Sequence, residues 1–209
     1  MMGIRDCELA PQCSLPDNAD GRYHPGVRPP HRKLSDLLAT PLQGATYLHV
    51  PPPFSAEDLS KLQHEIAQLV STSAPGAWEP RIVFEPTPPS CHAGQRVWLE
   101  SVAEGIHVLS PNHEELLSFY GHAKMAYTDP ELVASLEKVM WHLLYTVGVG
   151  KAGNGILAVR CGRLGACIGT KKGGLRWFPA YYTGEDEKIV KDVTGGECLR
   201  PVYNAKDIS

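Results

Sequence analysis

Apolar and polar positions follow two different periods along this chain, and each change of period marks a new element. Short apolar or β-branched runs predict strands; they lie at 45–50, 81–86, 106–110, 156–161, 166–170 and 177–182. Between them, apolar residues recur every three or four positions, which predicts helices at 55–71, 112–120 and 130–147 and a weaker one at 95–104. Strands that alternate with helices indicate an α/β fold with a mainly parallel sheet.

Local signals at the element ends support this division. Ser55, followed three residues later by Asp58, has the spacing of a capping box. Thr128-Asp129-Pro130-Glu131 combines a capping side chain, a first-turn proline and an acid at the positive end of a helix. The almost entirely apolar run at 156–161 predicts a strand that is buried on both faces.

Three regions follow from the same pattern. Residues 1–44 are rich in proline, glycine, aspartate and arginine and show neither period, which predicts an irregular or disordered tail. Residues 45–195 form one predicted domain. The last 14 residues, 196–209, are interpreted as a separate tail.

Composition narrows the class of protein. The hydrophobic fraction of 43% is typical of a globular protein. The net charge is −3, so we expect no nucleic-acid partner. No apolar run approaches the roughly 18 residues of a membrane span, and the first residues lack the apolar core of a signal peptide. The six cysteines form no C-x-x-C pair, which is typical of reduced thiols in a cytosolic or nuclear protein. We therefore expect a cytoplasmic protein without a membrane partner.

Several polar residues and glycines stand where strands end. From spacing alone, Asn112 and Glu115 are a second capping box. Gly162 and Gly165 fit a hairpin that needs positive φ. Glu85, at the end of a strand, either faces a ligand cleft or is an ordinary loop acid, and the spacing does not decide between them. Arg176-Trp177-Phe178 is interpreted as core and surface packing.

Four segments of the chain, taken in order, resemble the PfkB (ribokinase-like) carbohydrate kinases. The resemblance is strongest to a fungal branch of that family that is linked to maintenance of a killer virus. It covers about residues 46–195 and rests on an E-P-x-P-x-S segment, an N-x-x-E motif, a G-x-x-G turn and a D-x-T-G segment; these are Ile82–Cys91, Ser110–Glu115, Gly162–Gly165 and Asp192–Gly195.

The resemblance implies a ribokinase-like (Rossmann-like), three-layer αβα sandwich that is incomplete here. It implies ATP and Mg²⁺ as cofactors. Asn112 and Glu115 are then expected to position magnesium and phosphate, in addition to capping a helix. The expected nucleotide-binding residues are Gly162, Gly165, Asp192, Thr194 and Gly195.

The chain departs from the family after Gly195. Relatives continue as D-x-T-G-A-G-D, and the final aspartate is the catalytic base. This chain has Gly196-Glu197-Cys198 at the corresponding place. Glu197 puts a carboxylate where phosphate approaches the backbone, and Cys198 replaces the base. We therefore expect a truncated pseudoenzyme, assign it no catalytic residue, and expect little or no kinase activity.

The sequence is compatible with three functions. The first is a kinase remnant that still binds nucleotide. The second is a non-catalytic scaffold whose open sheet edge contacts a protein partner or another copy of the chain. The third is an active small kinase that takes its missing parts from a partner chain.

Overall fold

A computed structural model describes residues 44–52, 54–72 and 78–180. Within these ranges six strands form one sheet; they are β1 (Tyr47–Val50), β2 (Arg81–Phe84), β3 (Ile106–Leu109), β4 (Ile156–Arg160), β5 (Ala166–Thr170) and β6 (Gly174–Phe178). The helices are α1 (Ala56–Thr72), α2 (Arg96–Val102), α3 (His113–Phe119) and α4 (Glu131–Trp141), and α4 continues as a π-helical turn, His142–Val147. The predicted α/β class is confirmed.

The order of strands in the sheet follows the chain from β1 to β6. β1 to β4 are parallel, whereas β4, β5 and β6 are joined as antiparallel neighbours. Right-handed connections between parallel strands that are added in one direction place their helices on one face of the sheet. The four α-helices of the described ranges accordingly contribute to one apolar core with alternate strand residues.

Burial alternates along β4, which corrects the prediction of a strand buried on both faces. Leu157 and Val159 are buried under the helices, but Ile156 and Ala158 are only half-buried. On the same second face, Ile168 of β5 and Phe178 of β6 are 38% and 48% exposed. The helices of the described residues cover the face of the sheet that carries Leu157 and Val159. A third layer would lie against the other face, which carries Ile168 and Phe178.

Local hydrogen bonds accompany the predicted starts of α1 and α4, although Pro130, the residue before α4, makes no side-chain capping bond. The backbone N–H of Ser55 donates to Asp58 Oδ2, and the N–H of Asp58 donates to Ser55 Oγ, both at 3.1 Å. Asp129 Oδ1 accepts from the N–H of Glu131 at 2.9 Å. These bonds satisfy donors that the first turn of a helix leaves without partners.

Two details of the prediction were wrong. The last strand begins at Gly174 rather than 177, because Thr170 and Gly174 face each other across a tight turn in which Thr170 Oγ1 accepts from the N–H of Gly173 at 2.9 Å. Apolar periodicity places Val70 on the same face of α1 as Leu59 and Ile66, but Val70 is 37% exposed. The π-helical turn was not predicted, since the apolar stripe of α4 runs on through it.

Among the described cysteines, Cys91, Cys161 and Cys167 are buried free thiols, as predicted. Burial raises the pKa of all three, to about 12 for Cys161 and about 11 for Cys167. In the described ranges, no helix has both the length and the apolar character that crossing a bilayer requires.

Candidate functional site at the carboxyl edge of the sheet

Polar side chains meet at the carboxyl edge, where the parallel strands end. Glu85 follows β2, Ser110 follows β3 and Arg160 closes β4. Arg160 Nη1 lies 2.5 Å from Glu85 Oε1, and Arg160 Nη2 donates to the backbone oxygen of Ser110 at 3.2 Å. Open α/β sheets bind ligands at this edge, so the ligand-cleft interpretation of Glu85 agrees with its position.

The backbone holds Arg160 while its side chain stays accessible. The N–H of Arg160 donates to the oxygen of Pro111 at 3.1 Å, and a parallel bridge joins Asn112 to Arg160. The Arg160 side chain is 52% exposed. Glu85 also lies 3.4 Å from His49 Nε2, so its carboxylate is shared between two strands. The edge thus presents one half-exposed guanidinium in a defined position.

Asn112 and Glu115 form the predicted capping box at the start of α3. Asn112 Oδ1 accepts from the N–H of Glu115 at 2.8 Å, and Glu115 Oε2 accepts from the N–H of Asn112 at 2.7 Å. Glu115 is only 4% exposed. In the described part of the chain, no cluster of three or more acidic, histidine or cysteine side chains could hold a metal ion. The cap is confirmed; the magnesium role stays a prediction, and a buried Glu115 carboxylate that is bonded to the Asn112 backbone does not fit an open metal site.

The glycines of the β4–β5 turn are required by its shape. Gly162 has φ +50° and Gly165 has φ +92°, values that side chains rarely adopt. A Cβ added at Gly165 would overlap the backbone oxygen of Phe178. The N–H of Cys161 donates to the oxygen of Gly165 at 2.7 Å. The hairpin interpretation is therefore confirmed, while nucleotide binding by these two glycines stays a prediction.

The side chain of Tyr127 packs against this turn, a contact that the sequence did not predict. A Cβ added at Gly162 would overlap the Tyr127 hydroxyl. The ring centroid of Tyr127 lies 5.3 Å from the Arg163 guanidinium carbon and 5.0 Å from the His113 ring centroid. Tyr127 lies in an irregular stretch between α3 and α4, where no periodic pattern marks its position.

His113, the first residue of α3, is buried beneath Tyr127. It is 4% exposed, and neither ring nitrogen has a hydrogen-bond partner of good geometry among the described residues, although the Arg160 backbone lies close enough to favour the charged ring. Burial lowers the pKa of His113 because it disfavours the imidazolium. The Glu114 carboxylate and the nearby Arg160 backbone oppose that shift, whereas Lys124 adds to it. His113 stands inside the N-x-x-E motif, but the motif gives no sign of this burial.

The remaining candidates divide into packing residues and undescribed ones. Trp177 is half-buried and its Nε1 donates to Glu137 Oε1 at 2.7 Å, whereas Arg176 and Phe178 are exposed, so the packing interpretation holds. Asp192, Thr194, Gly195, Glu197 and Cys198 lie outside the described residues.

A groove of about 820 Å³ lies at the opposite, amino edge of the sheet, where Arg81, Gly105 and Asn154 contribute to its walls. It shares no lining residue with the carboxyl-edge cluster.

Comparisons with known proteins give structural similarity alone. No family model matches the sequence, and no curated protein matches it. Ribokinase from Giardia lamblia is 21% identical, with a TM-score of 0.47 over 72% of this chain and 40% of that one. A PfkB protein from Polaromonas sp. JS666 is 19% identical, with a TM-score of 0.41 over 68% of this chain and 42% of that one. Phosphofructokinase-2 from Escherichia coli, in complex with fructose-6-phosphate, is 16% identical, with a TM-score of 0.39 over 65% and 37%. The chain thus spans about two fifths of the length of these structurally similar kinases.

Proposed function

We propose that this protein is a PfkB-like carbohydrate-kinase scaffold that binds a nucleotide at the carboxyl edge of its sheet. The observation that carries the proposal is Arg160. Its half-exposed guanidinium is held by Glu85 and the Ser110 backbone, and Gly162 follows two residues later. A guanidinium at a fixed position is well suited to phosphate oxygens, which it binds through paired hydrogen bonds.

The motif order supports ATP as the nucleotide. The G-x-x-G turn and the N-x-x-E segment follow adjacent strands and come together at the same edge. ATP brings its magnesium ion when it binds, and we assign no protein ligand to that ion. The proposed role of this chain is to position the phosphates with Arg160 beside a turn whose glycine backbone allows close approach.

We further propose that the protein transfers no phosphoryl group to a sugar or nucleoside. Phosphoryl transfer depends on positioning and on stabilisation of negative charge. Glu197 and Cys198 occupy the places at which related kinases have a glycine and the catalytic aspartate. Magnesium-dependent phosphorylation of ribose or adenosine above background would contradict this part of the proposal and favour an active kinase that uses a partner chain.

Calorimetric titration of Mg·ATP tests the binding site. Arg160→Gln removes a charge-assisted contact, so we expect roughly 30-fold weaker binding, from about 2 kcal/mol for such a bond. Arg176→Gln is the matched control, because Arg176 is also exposed on a strand but lies on β6, beyond the parallel strands. Equal affinities for the two variants would exclude the carboxyl-edge site.

Glu85→Gln gives a change of opposite sign. The Glu85 carboxylate competes with phosphate for Arg160 and repels the nucleotide. Its neutral isostere should therefore bind Mg·ATP more tightly than the wild type. If Glu85→Gln binds more weakly, Glu85 supports the ligand and Arg160 is not its phosphate partner.

A second candidate function is self-association through the second face of the sheet. Ile168 and Phe178 are exposed there on adjacent strands, and β6 forms an edge of the described sheet. Exposed apolar residues at a sheet edge are typical of contact surfaces. In sedimentation experiments the wild type should form dimers and Phe178→Asp should be monomeric. Val97→Asp, at a helix position that is 74% exposed, is the control and should form dimers as the wild type does. A monomeric wild type would exclude this candidate.

A further inference from the structure

Tyr127 occupies the space that a ligand would need in order to reach the β4–β5 turn. Its hydroxyl lies so close to Gly162 that even a methyl group at that position would overlap it. A phosphate or sugar group is larger than a methyl group. With Tyr127 in this position, its hydroxyl fills the space beside Gly162 that a ligand atom would need on that side of the turn.

The contacts of Tyr127 are ones that a side chain can leave. The ring is 37% exposed and rests on His113 and the Arg163 guanidinium. No residue in the described ranges makes a hydrogen bond to its hydroxyl. Ring and cation–π contacts at exposed sites are individually weak, so rotation of Tyr127 breaks no strong bond.

The closed position also leaves His113 poorly satisfied. In the described ranges neither buried ring nitrogen has a hydrogen-bond partner of good geometry, and the nearby Arg160 backbone pairs with the ring only weakly, which destabilises the state that buries it. Moving Tyr127 away uncovers the ring, so water or a ligand oxygen can then bond to it. Part of the free energy needed to open the site is therefore recovered at His113.

We propose that Tyr127 is a lid over the Gly162 turn, and that its opening exposes His113 as a hydrogen-bond partner for the bound ligand. The proposal rests on the proposed function for the identity of that ligand, a nucleotide. The existence of the lid is independent of it and is measured without nucleotide.

Chemical modification of histidines measures the lid directly. Diethyl pyrocarbonate, with the modified peptides located by mass spectrometry, compares His113 with the exposed His92 in the same molecule. In the wild type, His113 should react at least about tenfold more slowly, because a closed lid leaves an open state of 10% or less. Tyr127→Ala should bring its rate to within about threefold of that of His92.

Two further variants keep the test decisive. Gly162→Ala places a methyl group where the Tyr127 hydroxyl lies and should open the lid while the tyrosine is retained. Tyr145→Ala removes an aromatic ring of similar exposure, 46%, that stands elsewhere, and should leave His113 protected. Circular dichroism verifies that each variant is folded. If His113 reacts equally fast in the wild type and in either opened variant, the lid does not exist.

Calorimetry with Mg·ATP then tests the link to the ligand. A lid that is open one tenth of the time weakens the apparent affinity about tenfold, so Tyr127→Ala should bind more tightly by that factor. Adding His113→Phe to Tyr127→Ala should reverse the gain. An unchanged affinity in the double variant would refute the role of His113. A reactive His113 in variants that all fail to bind Mg·ATP would uphold the lid and refute the proposed function.

Discussion

Glu115→Gln separates the two roles that the N-x-x-E motif suggests. Glutamine keeps a side-chain oxygen that accepts from the Asn112 N–H, and it is the usual alternative at this position of a capping box. It removes the negative charge that a magnesium ion would need. One substitution therefore preserves the cap and abolishes the metal ligand.

The expected free energies follow from the two reciprocal bonds at 2.7 and 2.8 Å. Glu115→Gln should change the free energy of unfolding by less than about 1 kcal/mol, since both bonds remain. Asn112→Ala should destabilise by about 0.5–2 kcal/mol, the usual effect of losing a cap side chain. Glu115→Ala should cost about 0.5–1.5 kcal/mol, the net contribution of a typical hydrogen bond, because the Asn112 N–H loses its partner at a position that water can partly reach.

The chain contains a matched control in its other capping box. Ser55 and Asp58 make the same pair of bonds at 3.1 Å at the start of α1. Ser55→Ala should destabilise on the same scale as Asn112→Ala, and Asp58→Asn should resemble Glu115→Gln. Neither substitution in α1 should affect nucleotide binding, because the bonds between Ser55 and Asp58 involve neither Glu85 nor Arg160.

Urea denaturation followed by circular dichroism gives the free energies, and calorimetry over a range of magnesium concentrations gives the binding. The cap geometry predicts that Glu115→Gln has the stability and the magnesium dependence of the wild type. A tenfold loss of magnesium-dependent binding at unchanged stability would refute the cap-only interpretation and restore the metal role of Glu115.

Three further predictions concern stability and the thiols. Gly165→Ala should lower the free energy of unfolding, measured by urea titration, by more than about 3 kcal/mol, because backbone strain and atomic overlap act together. Gly148→Ala is the control, since Gly148 has φ +88° and no atom within 4 Å of the added Cβ, so only strain should act there. Equal losses for the two variants would show that the overlap at Gly165 is relieved without cost. Burial acts to raise the pKa of Glu100, but hydrogen bonds from Arg96, His142 and Tyr120 outweigh it, so the pKa is lowered below 4.5. The ionised Glu100 carboxylate therefore stabilises the folded protein above that pH, and this contribution is lost as the pH falls through the lowered pKa. Glu100→Gln should therefore flatten the acid limb of the stability profile, and an unchanged limb would contradict this assignment. Cys161 and Cys167, with pKa values of about 12 and 11, should not react with Ellman's reagent at pH 8 until urea unfolds the chain; prompt reaction of the folded protein would show that they are accessible.

The elements that could be predicted from sequence are those specified by neighbouring residues. Both capping boxes are complete within four residues, so Ser55 with Asp58 and Asn112 with Glu115 indicated the starts of α1 and α3 correctly. The start of β6 at Gly174 has a local cause, since Gly174, its first residue, has φ +67°. The π-helical turn escaped prediction because a widened turn retains the apolar character that indicates an α-helix.

The candidate site depends on contacts between distant residues. Glu85 and Arg160 are 75 positions apart and meet because their strands flank β3, with a register shift in the β2–β3 pair between Ile82 and Val83. Tyr127 reaches Gly162 from an irregular stretch that has no period. Strand order and register decide both contacts, and a single sequence specifies neither. The burial of His113 follows from the second of these contacts, so it could not be predicted either.

The motif residues and the ion pair differ in what they say about function. Asn112, Glu115, Gly162 and Gly165 each have a sufficient structural reason for their identity, so a protein without any nucleotide would need them too. The pair of Arg160 and Glu85 has no such reason, because a half-exposed ion pair typically contributes about 0–1 kcal/mol to stability. A residue whose loss hardly changes stability but strongly weakens ligand binding serves the ligand. Arg160 therefore carries more weight for the proposed function than the motifs through which the resemblance was found.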